Sequence, residues 1–139
     1  MLCPGGNYGK YIEPFTMIYR RRVGAYGIEN KELMEAFKAW VKEEGLKGDI
    51  LCLALDDPLT TLPSQCRYDV GIKVESTMLE NHRVFEAGKY RIMEIDHTEE
   101  AIAMVYQNLG EFDQSRPIVE YYREASIALG KCEVWIPIV

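Results

Sequence analysis

The sequence predicts an α+β fold made of two like halves, each with the element order β-α-β-β. Two stretches space their apolar residues as one helical stripe, and each stripe stands between runs with the alternating or continuously apolar pattern of strands. The halves have comparable lengths, about residues 12–76 and 84–139, although no repeat is visible residue by residue. The chain has 139 residues, enough for a sizeable core, so we treat residues 1–139 as a single domain.

The first half opens with residues 1–10, which hold three glycines and a proline and are expected to be irregular. β-prone residues then become frequent at residues 15–23 and predict the first strand. Residues 33–41 repeat apolar side chains at helical spacing, and Gly45 ends the predicted helix. Trp40 lies on the apolar stripe of this helix, which favours packing against a sheet over contact with a ligand.

Two further strands complete the first half. The continuous apolar run at residues 49–54 predicts a buried strand, and residues 66–75 alternate so that Tyr68 shares a face with apolar neighbours. Between these strands, Asp56 and Asp57 precede a proline. A turn explains this pair better than a metal site, because no third oxygen ligand stands at a suitable spacing.

The pattern returns after a polar stretch at residues 76–83, which we expect to be a connection. Thr98 is the expected N-cap of the second helix because glutamates fill the first turn after it, and Gly110 ends that helix. Pro137 interrupts the last apolar run and predicts an edge or terminal strand there. The strands of this half are predicted at residues 89–95, 117–123 and 132–139.

The charge of the chain argues against direct binding to nucleic acid. The net charge is −6, whereas phosphate binding requires a clustered basic surface. Arg20, Arg21 and Arg22 form the one basic run, and strand alternation would divide it between two faces. No apolar run is long enough to cross a membrane and no signal segment precedes the first strand, so we expect a cytoplasmic protein without membrane contact.

The cysteines indicate reduced thiols rather than a metal site. They are Cys3, Cys52, Cys66 and Cys132. Their wide spacing lacks the paired pattern of a zinc site, and free cysteines within apolar strands behave as small hydrophobic residues. The sequence suggests no nucleophilic catalysis that would involve His82 or His97 together with a serine or a cysteine. We therefore expect neither a metal nor another cofactor.

Glu120 is the strongest candidate for a functional residue. It lies within the segment R-P-I-V-E-Y-Y-R-E, where strand alternation places it on one face with Ile118 and Tyr122. A carboxylate in an apolar row must be solvated, paired, protonated or matched by a cationic ligand. Composition alone favours the plainer explanation, in which Glu120 faces solvent and pairs with Arg123. The cationic ligand is the explanation that implies a function.

Several short motifs, taken in order, resemble those of the GyrI-like small-molecule-binding domain. They are G-A-Y, L-M-E-A-F-K-A-W, L-D-D-P, C-R-Y-D, G-K-Y, D-H-T and R-P-I-V-E-Y-Y. This family includes the effector domains of AraC-type regulators and stand-alone gyrase-inhibitory proteins. The resemblance implies a fold of tandem β-α-β-β modules, two SHS2-like halves related by pseudo-twofold symmetry around a central ligand cleft.

The resemblance also implies a function and a site. Members of the family bind amphipathic, aromatic and often cationic molecules, and the central glutamate of the R-P-x-x-E-x-Y strand is their acidic contact. That glutamate is Glu120 here, and the implied aromatic contacts are Trp135, Tyr68 and Tyr26. No helix-turn-helix fits within residues 1–10, so the expected partner is a small molecule, with a protein partner or a second copy of the chain left open.

Two other functions stay open at this point. Some GyrI-like proteins hydrolyse reactive cyclopropanoid electrophiles, and Glu120 could act there as general base with Tyr68 or Tyr26 as hydrogen-bond donor. Whether the protein is an enzyme is therefore left undecided. The third alternative is a gyrase-inhibitor-like module that binds another protein, although the acidic residues show no phosphate-like spacing.

Overall fold

The computed structural model of the chain describes residues 7–75 and 81–139. Within them, eight strands and three helices follow in chain order. They are β1 (Asn7–Ile12), β2 (Phe15–Val23), α1 (Ile28–Glu43), β3 (Ile50–Ala54), β4 (Arg67–Val74), β5 (His82–Phe85), β6 (Gly88–Asp96), α2 (Glu99–Gln107), β7 (Ile118–Tyr122), α3 (Glu124–Ile127) and β8 (Lys131–Pro137). A short 3-10 helix at Pro63–Gln65 precedes β4.

All eight strands belong to one antiparallel sheet with the order β1-β6-β8-β7-β3-β4-β2-β5. At its centre β3 pairs with β7, with Cys52 directly opposite Glu120. From β3 the sheet continues outward through β4 and β2, and from β7 it continues through β8 and β6, with β5 and β1 at the two edges. The predicted class is thus confirmed as a mixed α and β fold with a large antiparallel sheet and three helices.

Short links force this sheet to curl. Strands β1 and β2 occupy its first and seventh places, yet only Glu13 and Pro14 separate them in sequence. Such a link spans at most about 11 Å, so the two edges of the sheet must approach each other. Phe85, at the end of the outermost strand β5, accordingly lies 5.9 Å from the Tyr90 ring and 6.0 Å from the Trp135 ring, measured between ring centroids.

The curl gives the sheet two different faces, which we call the helix face and the inner face. On the helix face, α1 packs through the buried Phe37 with Trp40 beside it, and α2 packs through Val105. The inner face is filled by the sheet's own side chains. Its buried apolar members are Ile12, Met17, Leu51, Leu53, Phe85, Tyr90, Ile92, Val119, Tyr121 and Trp135.

Most predicted elements are confirmed by the structure. The first predicted strand coincides with β2, and the Thr98 side chain caps α2 by accepting a hydrogen bond from the Ala101 amide at 3.1 Å. The predicted split of the arginine run is also confirmed. Arg21 bonds Asp69 on the inner face, whereas Arg20 lies over the Trp40 ring on the helix face.

Two predictions about irregular segments need correction. Residues 1–10 were expected to be irregular, but Asn7–Ile12 forms β1, whose hydrogen bonds come from pairing with β6. The connection at 76–83 ends in strand β5, because His82 and Arg83 pair with β2. Residues 1–6, including Cys3, and residues 76–80 lie outside the described part of the chain.

Of the two positions predicted for the last strand, edge or terminal, the edge is wrong because β8 lies between β6 and β7, whereas β8 is the terminal strand in chain order. Pro137 is tolerated there as the final residue of the strand. It stands opposite Tyr90 on β6, beyond the segment of β8 that pairs with β7. The N–H that proline lacks therefore removes no hydrogen bond between β8 and β7.

The predicted turn at Asp56 is confirmed. The Asp56 carboxylate accepts hydrogen bonds from the amide and the guanidinium of Arg67, which closes the connection between β3 and β4. Among the helices formed by residues 7–75 and 81–139, none combines the length and the apolar character needed to span a bilayer.

Candidate functional site

Glu120 lies at the centre of the helix face. Strand β7 is one of the two middle strands, and Glu120 stands opposite Cys52 on one side and Val134 on the other. Its position between Ile118 and Tyr122 follows the alternation read from the sequence. The side chain is half-buried, in the gap between the part of the sheet under α1 and the part under α2.

Two tyrosine hydroxyls hold the Glu120 carboxylate. The Tyr106 hydroxyl donates to Oε2 at 3.0 Å, and the Tyr122 hydroxyl donates to Oε1 at 3.0 Å. Among the residues described, no basic side chain forms an ion pair with this carboxylate. Arg123, the plainer candidate for a partner, instead pairs with Glu133 at 2.8 Å and lies 3.8 Å from Asp49. The Glu120 carboxylate therefore has hydrogen bonds but, in the described part of the chain, no ion-pair partner.

The surrounding hydroxyls remain protonated at neutral pH. Burial raises the pKa of Tyr106 and of Tyr122, and the neighbouring charge of Glu120 raises both further. Burial also raises the pKa of Tyr68, whose hydroxyl lies beside the Cys52 thiol. Tyr106 and Tyr122 therefore act as neutral hydrogen-bond donors to the carboxylate.

Tyr26 lies farther out, at the edge of this cluster. Its ring meets Tyr68 edge-on, with 6.2 Å between centroids. Its hydroxyl donates to the Arg67 carbonyl at 2.7 Å and accepts from the Asp56 amide at 3.0 Å. The Tyr26 hydroxyl thus holds the connection between β3 and β4, which leaves the ring as the part that can touch a ligand.

The structure does not bring Trp135 to Glu120. Trp135 stands opposite Val119, the sequence neighbour of Glu120, so alternation directs it to the inner face. There it is 2% exposed, stacks on the Tyr121 ring at 4.2 Å and donates its indole N–H to Glu133 at 2.8 Å. Trp135 is therefore not among the aromatic side chains near Glu120, contrary to the expectation from the resemblance.

Sequence reasoning missed Tyr106 and Cys52 as neighbours of Glu120. Alternation already places Tyr122 on the strand face of Glu120, and the structure adds the hydrogen bond from its hydroxyl. Tyr106 lies on the second helix, and the apolar spacing of that helix does not say which strand lies beneath it. Cys52 depends on the register between β3 and β7, which a single sequence does not reveal.

Helix α2 closes the site in this structure. Tyr106 extends from α2 to the carboxylate, while Val105 is the one residue of the helix that is fully buried. Two surface cavities of about 670 Å³ and 490 Å³ lie elsewhere, one beside Phe15 and Lys73 and the other beside Phe112 and Val139. The Tyr106 hydroxyl occupies one oxygen of the carboxylate, so a ligand that contacts this oxygen must displace it.

The described cysteines are buried and unpaired. They are Cys52, Cys66 and Cys132. Over residues 7–75 and 81–139, no group of three or more His, Cys, Asp or Glu side chains is placed to hold a metal ion. The groups that the structure brings together around Glu120 are its carboxylate, the tyrosine hydroxyls and rings, and the Lys38 ammonium near Tyr122.

Known proteins resemble this chain in sequence and in fold. The "SPbeta prophage-derived putative transcriptional regulator YosT" of Bacillus subtilis (strain 168) is 37% identical over 141 residues, covering 91% of this chain and 95% of that protein. The solved structure of SAV2435 bound to tetraphenylphosphonium has a TM-score of 0.61 at 14% identity, covering 96% of this chain and 93% of that one.

A second solved structure, EcmrR in complex with DNA, has a TM-score of 0.68 at 13% identity. The match covers 94% of this chain but only 56% of the EcmrR chain. At such low sequence identities, the two solved structures show similarity of fold alone. A family model described as the GyrI-like small molecule binding domain matches residues 10–139. The chain therefore belongs to the family of GyrI-like small molecule binding domains.

Proposed function

We propose that this protein binds amphipathic aromatic cations, with Glu120 at the floor of the binding site. The observation that carries the proposal is a half-buried carboxylate that receives two tyrosine hydroxyls and, among the residues described, no ion-pair partner. An ionised carboxylate is costly to remove from water without a positive partner. A cationic ligand would supply that partner.

The aromatic rings around Glu120 suit the remainder of such a ligand. Tyr68, Tyr106 and Tyr122 lie beside the carboxylate, and Tyr26 extends the cluster outward. A cation over an aromatic face contributes about 0.5–2 kcal/mol, and flat rings accept ligands of many shapes. A relative by fold, SAV2435, was solved with tetraphenylphosphonium, which is a cation that carries four phenyl rings. The proposal therefore includes several ligands rather than one.

We place this cleft between two β-α-β-β halves, about residues 12–76 and 84–139. Two features support this division. The sheet runs outward as β3-β4-β2 on one side and as β7-β8-β6 on the other, and each side has its helix between its first two strands in sequence. The pseudo-twofold axis that relates the halves would then pass between β3 and β7, beside Glu120. Small-molecule sites are frequent at such junctions.

The proposed role is that of an effector domain, which binds a ligand and does not itself contact DNA. The net charge of −6 opposes binding to phosphates. Relatives that are named as transcription regulators or were solved with DNA support a regulatory setting for the ligand.

Tetraphenylphosphonium and tetraphenylborate provide the test, because they have nearly the same shape and opposite charges. We expect calorimetric titration to detect binding of the phosphonium and not of the borate. Glu120→Gln should weaken phosphonium binding by about tenfold to a hundredfold, since a charge attraction at contact distance is lost. Glu124→Gln makes the same change at an exposed position nearby and should have no effect. Unchanged affinity in the Glu120→Gln protein would refute the proposal.

A second prediction concerns the hydrogen bond between Tyr106 and Glu120 in the ligand-free protein. Tyr106→Phe keeps the ring but removes the hydrogen bond to Glu120 that a ligand must break. Because a hydrogen bond to a charged group contributes about 1.5–3 kcal/mol, we expect tetraphenylphosphonium to bind roughly tenfold more tightly and associate faster. Stopped-flow fluorescence measures both quantities, with Met104→Leu as an exposed control on the same helix. Weaker binding would mean that the hydroxyl stabilises the bound state instead.

A further inference from the structure

We infer that the preferred ligands carry an anionic group as well as the cationic one, and that Lys38 binds the anionic group. This inference rests on the proposed function, because it concerns the same site. It begins from the position of Lys38 on α1, next to the buried Phe37 and half-buried itself.

The Lys38 ammonium lies within the site rather than in open solvent. Its Nζ is 6.0 Å from the centroid of the Tyr122 ring, and the hydroxyl of that ring donates to Glu120. One tyrosine thus has the ammonium over its ring and the carboxylate at its hydroxyl. The two charges face the same space from α1 and from β7.

Lys38 has no acidic partner in the part of the chain that is described. The ion pairs of that part use other residues, and none of them includes Lys38 or Glu120. The field of the ammonium nevertheless reaches the strands beneath it. Burial raises the pKa of the Cys52 thiol, and the Lys38 charge opposes that change. Cys52 stands opposite Glu120, so both residues experience the same ammonium.

This pair of unpaired charges makes the site dipolar. A ligand with only a positive charge is attracted by Glu120 and repelled by Lys38. A ligand that adds a carboxylate, sulfonate or phosphate replaces that repulsion with an attraction and satisfies both groups. A purely anionic ligand meets the opposite conflict at Glu120. The arrangement therefore selects aromatic zwitterions over simple aromatic cations.

Rhodamine 110 and rhodamine 123 test this selection. They share one xanthene cation, but rhodamine 110 carries a free carboxylate where rhodamine 123 carries its methyl ester. By fluorescence anisotropy we expect the wild-type protein to bind rhodamine 110 about tenfold more tightly, the size of one screened charge contact. Lys38→Met should abolish the difference by weakening rhodamine 110 and, because the repulsion is removed, by tightening rhodamine 123, whereas Lys38→Arg should retain it. Lys42→Met, at an exposed position one turn along α1, should also retain it.

The failures of the inference and of the proposed function are distinguishable. If wild-type protein binds both dyes equally, or if Lys38→Met keeps the preference, the role of Lys38 is refuted while cation binding stands. If neither dye binds, or if Glu120→Gln binds rhodamine 123 as tightly as wild type, the proposed function fails and the inference fails with it. An affinity of Lys38→Met for rhodamine 123 at or above that of wild type shows that this variant folds.

Discussion

Replacing Trp135 by alanine should lower the free energy of unfolding by about 3–5 kcal/mol, the cost of deleting a large ring from a packed core. The side chain is 2% exposed, and its ring stacks on Tyr121 and meets Phe85 edge-on. Its indole N–H also donates to Glu133, which is itself buried and would lose that donor. Urea denaturation followed by circular dichroism measures the change.

Trp40 supplies the matched control for this prediction. It is partly buried, on α1 beside Phe37 and under Arg20, so alanine there should cost roughly half as much. Equal costs would show that Trp135 does not have the core role described above. A second variant, Trp135→Phe, preserves most of the packing and should bind tetraphenylphosphonium as wild type does. Loss of binding in that variant would mean that the site extends to the inner face.

The second large effect is expected at Asp69, which is fully buried on the inner face. Its carboxylate accepts hydrogen bonds from Arg21 at 2.7 and 2.9 Å and from Arg83 at 2.9 Å. Arg21→Met leaves a buried charge with one partner in place of two. We expect the free energy of unfolding to fall by about 3 kcal/mol, because removing one member of a buried ion pair leaves the other uncompensated.

Arg67→Met provides the comparison for this ion pair. Arg67 also forms a two-point contact with a carboxylate, that of Asp56, but its side chain is 46% exposed. Water can replace the lost contacts there, so the expected cost is about 1 kcal/mol or less. Each variant removes one arginine charge, from β2 in Arg21→Met and from the neighbouring strand β4 in Arg67→Met. If urea midpoints shift equally in the two proteins, burial of Asp69 is not what makes its ion pair important.

Local patterns in the sequence predicted most of the elements. Strand β2, the Thr98 cap and the alternation around Glu120 depend on residues that are close together along the chain, and these predictions agree with the structure. Strand β1 was missed because its glycine-containing segment has no strand pattern of its own. It is a strand because β6 offers it hydrogen bonds, and β6 lies more than seventy residues away.

The candidate site divides in the same way. The sequence by itself determined that Glu120 shares a face with Tyr122, because alternation along one strand is a local property. Only the tertiary structure decided that Trp135 lies opposite Val119 and so faces away, and that Tyr106 and Lys38 reach the site from two helices. The physical reason is register. Pairing between distant strands and packing of helices on them depend on contacts across the whole sheet, which no local pattern contains.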